Sequence, residues 1–292
     1  MEQTQSLSRG LLGTGTPQLA KPHIAIKPHR GLWHLDLPAL WHYRELLYFL
    51  VWRDVKVRYK QTVIGATWAI LQPLLTMIIF TLLFSNLAKI PSDGLPYPLF
   101  VYAALLPWTY FVQALGRCGN SLVGDAALIT KVYFPRLIVP LASVMPPLVD
   151  SLWSSLILIG MMAWFGVSFT WALLLLPAFM GMALVTAVAV GLWLSALNVR
   201  YRDVNLTVPF LIQIWFFASP VIYPVSLLPE TWRLLYNLNP MAGVIEGMRW
   251  AILGQPFSEL GLLAVSFLMV IGLLIGGIVF FNQMEQTFAD EI

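Results

Sequence analysis

Residues that could perform catalysis or bind a metal are few in this sequence, and their spacing suits neither task. The glycine-rich stretch at 10–15 lacks the Gly-Lys-Ser/Thr ending with which a phosphate-binding loop holds phosphates and magnesium. The single cysteine, Cys118, excludes an intramolecular disulfide and a multi-cysteine metal site. Four histidines have irregular spacing that does not match a zinc site: His23, His29, His34 and His42. We therefore predict that the chain is not an enzyme and that it binds no metal or cofactor itself.

Asp150 is the acidic residue that lies inside a long apolar segment. An ionisable side chain in such a place is a candidate functional site, because burying it in hydrocarbon is costly. The structural alternative is that Ser151, Ser154 or a neighbouring subunit satisfies the carboxylate, next to a backbone kinked by Pro146 and Pro147. Both interpretations remain open at the level of the sequence.

The composition is that of an integral membrane protein. Of the 292 residues, 59% are hydrophobic and only 11% are charged, and the mean hydropathy is +0.76. These values exclude a cytosolic enzyme. The pI is near 9.0, but the basic residues flank apolar segments, so we expect them to meet anionic lipid headgroups rather than nucleic acid.

Six segments are long and apolar enough to cross a membrane, which takes about 20 residues of helix. A helix satisfies its own backbone hydrogen bonds, as hydrocarbon requires. The sequence thus predicts an all-α membrane protein with six transmembrane helices at 67–87, 97–115, 137–165, 171–197, 205–223 and 260–281. These helices form one domain over 62–285, between a polar flexible tail at 1–38 without a cleavable signal peptide and an acidic tail at 286–292.

The distribution of basic residues predicts the orientation in the membrane. Of the 17 Lys and Arg residues, all except Lys89, Arg233 and Arg249 precede the first predicted span or follow the second or the fourth. Because Lys and Arg resist translocation, the side that carries them is cytoplasmic. Both termini are therefore expected in the cytoplasm, with three external loops.

Residues 39–61 predict an amphipathic helix on the cytoplasmic surface of the membrane. Their first half is apolar and aromatic, and their second half is basic, with Arg53, Lys56, Arg58 and Lys60. Trp and Tyr prefer the depth of the headgroups, while Lys and Arg reach the phosphates. The alternative, a basic flank of the first span, explains the charges but not the aromatic residues.

Residues 120–133 predict a short amphipathic helix in the loop between the second and third spans. Asn120 or Ser121 can cap it, and Asp125 and Lys131 lie towards the ends that the helix dipole favours. One face is shared by Leu122, Ala126, Ile129 and Tyr133. Such a helix either protrudes towards a cytoplasmic partner or lies on lipid, and the pattern leaves both open.

The connection at 224–259 contains two short apolar pieces, 225–236 and 241–253. Neither can span a membrane, and a loop of this length without structure is uncommon. We expect a re-entrant or external gate structure in which Glu246 and Arg249, spaced i and i+3, neutralise each other. The alternative is a pair of amphipathic helices that rest on the outer surface.

Five stretches carry a resemblance to a known family. They are 49–73 (FLVWRDVKVRYKQTVIGATWAILQP), 134–140 (FPRLIVP), 198–204 (NVRYRDV), 219–224 (SPVIYP) and 238–253 (LNPMAGVIEGMRWAIL). In this order they resemble the corresponding parts of bacterial ABC-2 type export permeases, in particular those that export lipid-linked polysaccharide. The resemblance covers roughly residues 40–285.

The resemblance implies a homodimer of permeases that assembles with two copies of a separate ATPase subunit, which binds ATP and Mg. It implies export of polyprenyl-pyrophosphate-linked polysaccharide, first of all O-antigen, across the bacterial cytoplasmic (inner) membrane, with membrane lipids but no nucleic acid as further partners. Alternative cargoes are capsular or teichoic polymers, or drugs and small lipids. A membrane enzyme acting on polyprenyl-linked sugars would need several grouped charges, which Asp150 alone does not supply.

The resemblance also implies roles for two sets of residues. The coupling helix would contact the ATPase through 120–133 and a second contact would follow the fourth span; the residues concerned are Asn120, Asp125, Lys131, Tyr133, Arg200, Arg202 and Asp203. The external gate helices match 224–253, and the residues expected at the gate are Tyr223, Glu246, Arg249 and Trp250.

Physical reasoning about such a cargo adds two further sets. An acidic pyrophosphate headgroup needs cations at the cytoplasmic surface, for which the candidates are Arg53, Lys56, Arg58, Lys60 and Arg136. Aromatic faces stack on sugar rings, and the candidates for a glycan path are Trp68, Phe80, Trp108, Tyr110, Phe111, Trp215 and Phe216. The alternative for these aromatic residues is a lipid-interface belt.

Overall fold

The computed structural model describes residues 37–60, 63–201, 203–236, 238–253, 260–285 and 288. Every regular element in these residues is helical, which confirms the predicted all-α class. In chain order the helices are α1 (Leu37–His42), α2 (Arg44–Lys60), α3 (Val63–Phe80), α4 (Tyr97–Gly124), α5 (Ala126–Lys131), α6 (Ile138–Ser143), α7 (Pro146–Trp164), α8 (Leu176–Arg200), α9 (Val204–Phe217), α10 (Glu230–Tyr236), α11 (Pro240–Leu253) and α12 (Leu260–Glu285). Thr81–Leu87 adds a π-helical turn, and Trp171–Leu175 and Val225–Leu227 are 3-10 turns. Most of the predicted polar tail and of the acidic tail lies outside the described residues.

Among the described residues, five helical segments are long and apolar enough to cross a membrane: Ile70–Leu87, Tyr97–Gly124, Ile138–Trp164, Trp171–Arg200 and Leu263–Glu285. They coincide with five of the six predicted spans, so the chain is a multi-pass membrane protein. The predicted end of the second span at residue 115 was wrong, because α4 continues to Gly124, whereas α8 ends at Arg200, within a few residues of its predicted end. Arg117, which we expected in a loop, therefore lies within α4.

The predicted span at 205–223 is not confirmed as one helix. α9 has only 14 residues and ends at Phe217, so it is about 21 Å long against the roughly 30 Å of a hydrocarbon core. A buried, non-helical segment with Pro220 follows it. α9 and this segment run antiparallel to α4: Asn205 lines one cavity with Asn120 at the end of α4, whereas the Tyr97 hydroxyl at its start donates to the Ile222 carbonyl at 2.9 Å.

α4 is the central helix and packs against α3, α6, α7, α8 and α11. Its contact with α8 is close because both helices place small residues there. A Cβ atom on Gly191 of α8 would lie 2.4 Å from the sulfur of Cys118 on α4, so only glycine fits. The large side chains of Tyr102 and Tyr110 on α4 are fully buried, and each donates a hydrogen bond to a backbone carbonyl of the α6–α7 segment.

The third predicted span, 137–165, consists of two helices rather than one. α6 ends at Ser143, and α7 starts at Pro146. Pro146 and Pro147 lack the N–H groups that would continue the hydrogen bonding of α6, which accounts for the break. The Tyr110 hydroxyl donates to the Val144 carbonyl at the break, at 3.2 Å. This bond ties the break to α4.

The predicted surface helix at 39–61 is present as α1 and α2, which meet at Tyr43. Backbone hydrogen bonds from Tyr43 to Ala39 and from Leu47 to Tyr43 continue the helical pattern across the junction. The side of α2 turned to the protein holds Leu50 but also the charged Asp54 and Arg58, whereas large apolar side chains point outwards: Tyr48, Phe49, Trp52 and Val57. α2 therefore packs partly through polar contacts, against α3, α6 and α7.

The connection before α12 is structured, as predicted. α11 is buried against α4, α8 and α12, so the alternative of two helices resting on the outer surface is wrong for α11. Its packing requires glycine, because a Cβ atom on Gly247 would lie 2.1 Å from the ring of Phe179. α10 is more exposed than α11, since its Trp232 side chain is 62% exposed.

Candidate functional site

Asp150 is buried and pairs with two residues of α2. Its carboxylate accepts a hydrogen bond from the Tyr59 hydroxyl and forms an ion pair with Arg58. Of the partners considered for this carboxylate, Ser151 does not bond to it, because the Ser151 hydroxyl donates to the Pro147 carbonyl one turn earlier in its own helix. Burial, and then the bond to Asp150, raise the pKa of Tyr59.

Arg53 connects α2 to the junction between α4 and α5. Its guanidinium forms two parallel bonds to the Asp125 carboxylate, at 2.9 and 3.0 Å, and its Nε donates to Asp54 at 2.9 Å. The bond to Asp125 is the main factor that raises the pKa of Arg53, because it stabilises the charged form. Arg117 of α4 approaches the second oxygen of Asp54 at 3.6 Å.

These residues form a charge network, which we define as Arg53, Asp54, Arg58, Arg117, Asp125 and Asp150. Three cations face three anions, so the network is neutral. Gln113 of α4 adds an acceptor for Arg58 at 3.0 Å. The sequence-based assignment treated the members as separate sites and missed Asp54, Tyr59, Gln113 and Arg117. The available signal was that Arg117 and Gln113 are polar residues one helical turn apart in an otherwise apolar segment.

The predicted helix at 120–133 is divided differently in the structure. Asn120 lies within α4 and does not cap a helix; its amide donates to the Gly116 carbonyl at 3.0 Å. The separate helix is α5, and Asp125 is the residue between α4 and α5. The amide of Asn198 on α8 donates to the Gly119 carbonyl and to the Asn120 side chain, at 3.0 and 3.2 Å. Asn120 thus joins α4 to the end of α8.

The expected common face of this segment was also wrong. The break at Asp125 changes the register, so Leu122 and Ile129 are buried whereas the Tyr133 side chain is 69% exposed beyond the end of α5. Lys131 is exposed in the last turn of α5. α5 therefore presents Lys131 and Tyr133 outwards and is attached through Asp125.

The second predicted contact surface is at the α8–α9 junction. Arg200 is the last residue of α8, is exposed, and lies over the Tyr201 ring with 5.5 Å between the guanidinium carbon and the ring centre. Asp203 precedes α9, and its carbonyl accepts from the N–H groups of Leu206 and Thr207. Arg202 lies outside the described residues.

The five cations proposed for a lipid headgroup have different surroundings. Arg53 and Arg58 are paired within the charge network. Arg136 donates to the carbonyl of Glu285 at the end of α12, and its guanidinium lies 6.0 Å from the ring centre of Phe288. Lys56 and Lys60 are exposed and join no ion pair among the described residues.

The structure brings five of the seven predicted path residues together. Trp108 lies 5.7 Å from Phe111 and 5.4 Å from Phe216; Phe111 lies 5.0 Å from Trp215, and Phe80 lies 5.9 Å from Phe216, all between ring centres. We call these five residues the aromatic cluster, which connects α3, α4 and α9. Trp68 and Tyr110 lie outside the cluster. Trp68 is exposed on α3, and the Tyr110 hydroxyl donates to the Val144 carbonyl at the α6–α7 break.

The predicted pair of Glu246 and Arg249 is confirmed, at 2.9 Å. Arg249 is only 3% exposed, and it donates to the carbonyls of Val221 and Phe100 at 3.0 and 3.4 Å. Its guanidinium carbon lies 3.4 Å from the centre of the Phe100 ring. We call these contacts the Arg249 hub, which joins α11 to the start of α4 and to the segment after α9. The carbonyl partners were missed because backbone acceptors have no sequence signature.

The other predicted gate residues lie near the Arg249 hub. Tyr223 and Tyr236 are hydrogen bonded through their hydroxyl groups at 2.8 Å, and Trp250 packs edge-on against Trp171 and Phe179. Burial, and then the bond to Tyr223, raise the pKa of Tyr236. Asn239, which the sequence did not single out, accepts from the Trp215 indole and donates to the Ala218 carbonyl, at 2.8 and 3.0 Å. The bond between Asn239 and Trp215 thus attaches the segment between α10 and α11 to the aromatic cluster.

A cavity of about 310 Å³ lies between α4, α8 and α9. Its lining is mostly apolar, with residues such as Val112, Leu194 and Ile212, and its polar lining residues are Asn120 and Asn205. The cavity separates the start of α9 from α4 near the Asn120–Asn198 contact.

Comparison with known proteins decides the family. Residues 45–253 match the family described as ABC-2 type transporter. The chain belongs to this family. The match confirms the resemblance found in the sequence and includes α2, the charge network, the aromatic cluster and the Arg249 hub.

Several relatives of this ABC-2 chain are transport proteins for polysaccharides by name. It is 33% identical to the O-antigen export system permease protein RfbA of Myxococcus xanthus over 70% of this chain and 79% of that protein. It is 28% identical to a protein of the same name from Klebsiella pneumoniae, over 84% and 94% of the two chains. The polysialic acid transport protein KpsM of Escherichia coli is 21% identical, over 71% and 81%.

Proposed function

We propose that the chain is the permease subunit of an ABC exporter that moves polyprenyl-pyrophosphate-linked polysaccharide, in the first place O-antigen, across the inner membrane. Two copies of the chain pair with two separate ATPase subunits, which hold ATP and Mg and supply the energy. The observation that carries the proposal is the similarity to O-antigen export permeases, which extends over 84% of this chain for the Klebsiella protein.

The chain crosses the membrane six times under this proposal, with both termini in the cytoplasm. α9 is too short to cross as a helix, but the segment that follows it continues alongside α4 as far as Tyr97. Side chains donate hydrogen bonds to carbonyl groups of this segment: Asn239 donates to the Ala218 carbonyl, and Arg249 donates to the Val221 carbonyl. Such backbone is tolerated at membrane depth because it is buried in protein.

The aromatic cluster supports a glycan path. Its five rings come from three helices, and aromatic rings accept sugar rings with little demand on orientation. In the single chain these rings pack against one another, and Trp108 and Phe111 are buried. Passage of a glycan therefore requires α9 to separate from α4, with Trp215 and Phe216 moving away from Trp108 and Phe111.

The surfaces at the opposite ends of this path have separate tasks. The exposed end of α5, with Lys131 and Tyr133, docks on the ATPase together with Arg200 and Asp203. Lys56 and Lys60 meet the pyrophosphate headgroup, since their charges are available at the surface of α2. α10 and α11, held by the Arg249 hub, form the external gate.

The cargo is tested by deleting the gene in its host and complementing the deletion with the intact chain. We expect the deletion strain to accumulate lipid-linked polysaccharide inside the cell and to lose it from the surface, and the intact chain to restore export. Fractionated cells analysed on a polysaccharide gel report both pools. An unchanged surface glycan would contradict polysaccharide export and favour drugs or small lipids as cargo.

The six crossings are tested with two matched cysteine variants, Thr130→Cys on α5 and Thr231→Cys on α10, because both positions are exposed. The native Cys118 is buried, so it gives little background. A membrane-impermeant thiol reagent should label position 231 in intact cells and position 130 only after permeabilisation. Labelling of both positions from the same side would contradict the proposed topology.

A capsular polymer is the second candidate cargo. The similarity to KpsM, named for polysialic acid transport, favours it, although the identity is only 21%. The same deletion experiment separates the two candidates, because the polymer that accumulates inside the cell is either the O-antigen or the capsule.

A further inference from the structure

The docking helix α5 cannot hold its position by itself. It has six residues, of which only Ile129 is buried, and an isolated helix of this length is unstable in water. Its attachment is Asp125, whose N–H donates to the Ser121 carbonyl of α4 and whose carbonyl accepts from Leu128 and Ile129. The backbone of Asp125 thus completes both helices.

The Asp125 side chain has a different partner from the one expected at this position. An Asp before a helix usually accepts from the first N–H groups of that helix. The Asp125 carboxylate instead accepts two parallel hydrogen bonds from Arg53 of α2, 72 residues away along the chain. Bidentate pairs of this kind fix the relative orientation of the two groups.

The Arg53 side chain is itself held in place. Its Nε donates to Asp54, and Asp54 is approached by Arg117 of α4. Both partners of the main pair remain open to water, with side-chain exposures of 44% for Arg53 and 25% for Asp125. The pair can therefore be exchanged for another without leaving a buried charge.

The same helix reaches the buried acid of α7. Five residues after Arg53, Arg58 pairs with Asp150, and the neighbouring Tyr59 donates to the same carboxylate. α2 is thus connected to α5 at one point and to α7, just after its start at Pro146, at another. A displacement of α5 that moves Asp125 must either carry α2 with it or break the pair of Arg53 and Asp125.

We infer that Arg53 is a positioning residue of the exporter: through its pair with Asp125 it fixes α5 to α2, so that displacement of α5 by the ATPase is transmitted to Asp150 in α7. This inference rests on the proposed function for the identity of the partner that moves α5. It assigns Arg53 and Asp125 to an internal connection, in place of a lipid headgroup contact and an ATPase contact.

A charge exchange tests the inference. Arg53→Glu and Asp125→Arg should each lower the polysaccharide exported per ATP hydrolysed about fivefold, and the double variant should recover to within about twofold of the intact chain, as a surface pair of about 1 kcal/mol predicts. Export is measured in the host per inserted permease, and ATP hydrolysis is measured with MgATP on the complex purified through a tag on the permease. Arg44→Glu makes the same charge change on an exposed residue of α2 and should leave the ratio unchanged.

Two outcomes would overturn the inference. One is a double variant that stays as defective as Arg53→Glu, which would return Arg53 to a contact with the lipid headgroup. The other is a single variant with unchanged coupling. If Glu at position 53 prevents insertion, Arg53→Gln keeps the length of the side chain, and normal coupling in that variant would be equally contrary.

The test also separates this inference from the proposed function. Co-purification of ATPase activity with the tagged permease does not depend on the cargo. If the intact chain exports no polysaccharide, the proposed cargo fails, while a changed rate of ATP hydrolysis by the co-purified complex of each single variant and its return in the double variant would still support the connection. Equal recovery of ATPase activity from all variants, with equal coupling, would refute the connection and leave the cargo unaffected.

Discussion

The charge network and the Arg249 hub have the same structural role but use different partners. Both attach helices to non-helical junctions with arginine. The charge network uses carboxylates on α2, at the α4–α5 junction and on α7, and its main pair is partly exposed. The Arg249 hub uses one arginine that is 3% exposed, with one carboxylate, two backbone carbonyls and an aromatic ring as its partners.

Because the main pair of the charge network is partly exposed and Arg249 is buried, the two regions should tolerate substitution of their charged residues differently. Pairs between exposed side chains contribute little free energy and can be exchanged, because water solvates either partner when the pair opens. A buried guanidinium cannot be exchanged in this way, since its removal leaves acceptors without a donor inside the protein. We therefore expect the charge network to move during transport and the Arg249 hub to stay fixed.

The largest effect is expected at the hub. Arg249→Ala should lower the free energy of unfolding by about 3 kcal/mol, because it removes the donor for two carbonyls and the partner of Glu246. Unfolding of the purified chain in mixed micelles measures the change. The control is Arg233→Ala on α10, where a half-buried arginine also donates to a carbonyl and about 1 kcal/mol is expected. Equal losses in the two variants would remove the distinction between the hub and an ordinary surface contact.

A smaller effect is expected at the buried end of the charge network. Asp150→Ala should cost about 2 kcal/mol, since Arg58 and Tyr59 lose their partner but Arg58 keeps access to water. Asp150→Asn should cost about half as much because an amide oxygen still accepts from Tyr59. The same unfolding measurement applies. If Asp150→Ala were as stable as the intact chain, its contacts with α2 would contribute nothing to folding.

The next effect is expected on α11, the helix that carries Arg249, where close packing should contribute about 1 kcal/mol to the free energy of unfolding. Gly247→Ala would place a Cβ atom 2.1 Å from the Phe179 ring, which must move, and overpacking of this kind destabilises by about 1–3 kcal/mol. Gly181→Ala on α8 is the matched control, because nothing lies within 4 Å of its Cβ position. Thermal denaturation in detergent compares the two variants. A loss at position 181 equal to that at 247 would show that helix flexibility rather than packing is responsible.

The smallest effect on stability is expected at the exposed end of α5. Lys131→Glu should leave the unfolding midpoint unchanged, because Lys131 is exposed and joins no ion pair among the described residues. Under the proposed function it should nevertheless uncouple ATP hydrolysis from export, since it reverses a charge on the docking surface. Export and ATP hydrolysis measured on the same preparation report this ratio. Normal export would favour the alternative in which α5 lies on lipid.

Several features of the site could be predicted because they depend on residue type within one segment. Glu246 and Arg249 pair as expected, since positions i and i+3 are neighbours on any helix. Five of the seven expected aromatic residues meet, although the prediction used ring type alone and the rings come from three helices. The partners of Asp150 could not be predicted in this way, because Tyr59 lies 91 residues away.

The errors in the helix boundaries have local causes that compete with hydropathy. α9 ends at Phe217 although the apolar run continues, because Pro220 follows and side-chain donors from the connection before α12 take up the carbonyls. α4 continues through Asn120 because the Asn198 amide and the Gly116 carbonyl satisfy that side chain within the protein. In both places a contact between distant segments decides the end of the helix.

By itself, the sequence determined that this is a multi-pass membrane protein, where five of its spans lie, and the family to which it belongs. These properties are readable because each transmembrane helix satisfies its own backbone and needs only a sufficient run of apolar residues. The tertiary structure alone decided that Arg53 pairs with Asp125, that Arg58 pairs with Asp150, and which carbonyls Arg249 serves. Those choices depend on how helices far apart in the chain are brought together, and an arginine carries the same five donors whichever acceptor it meets.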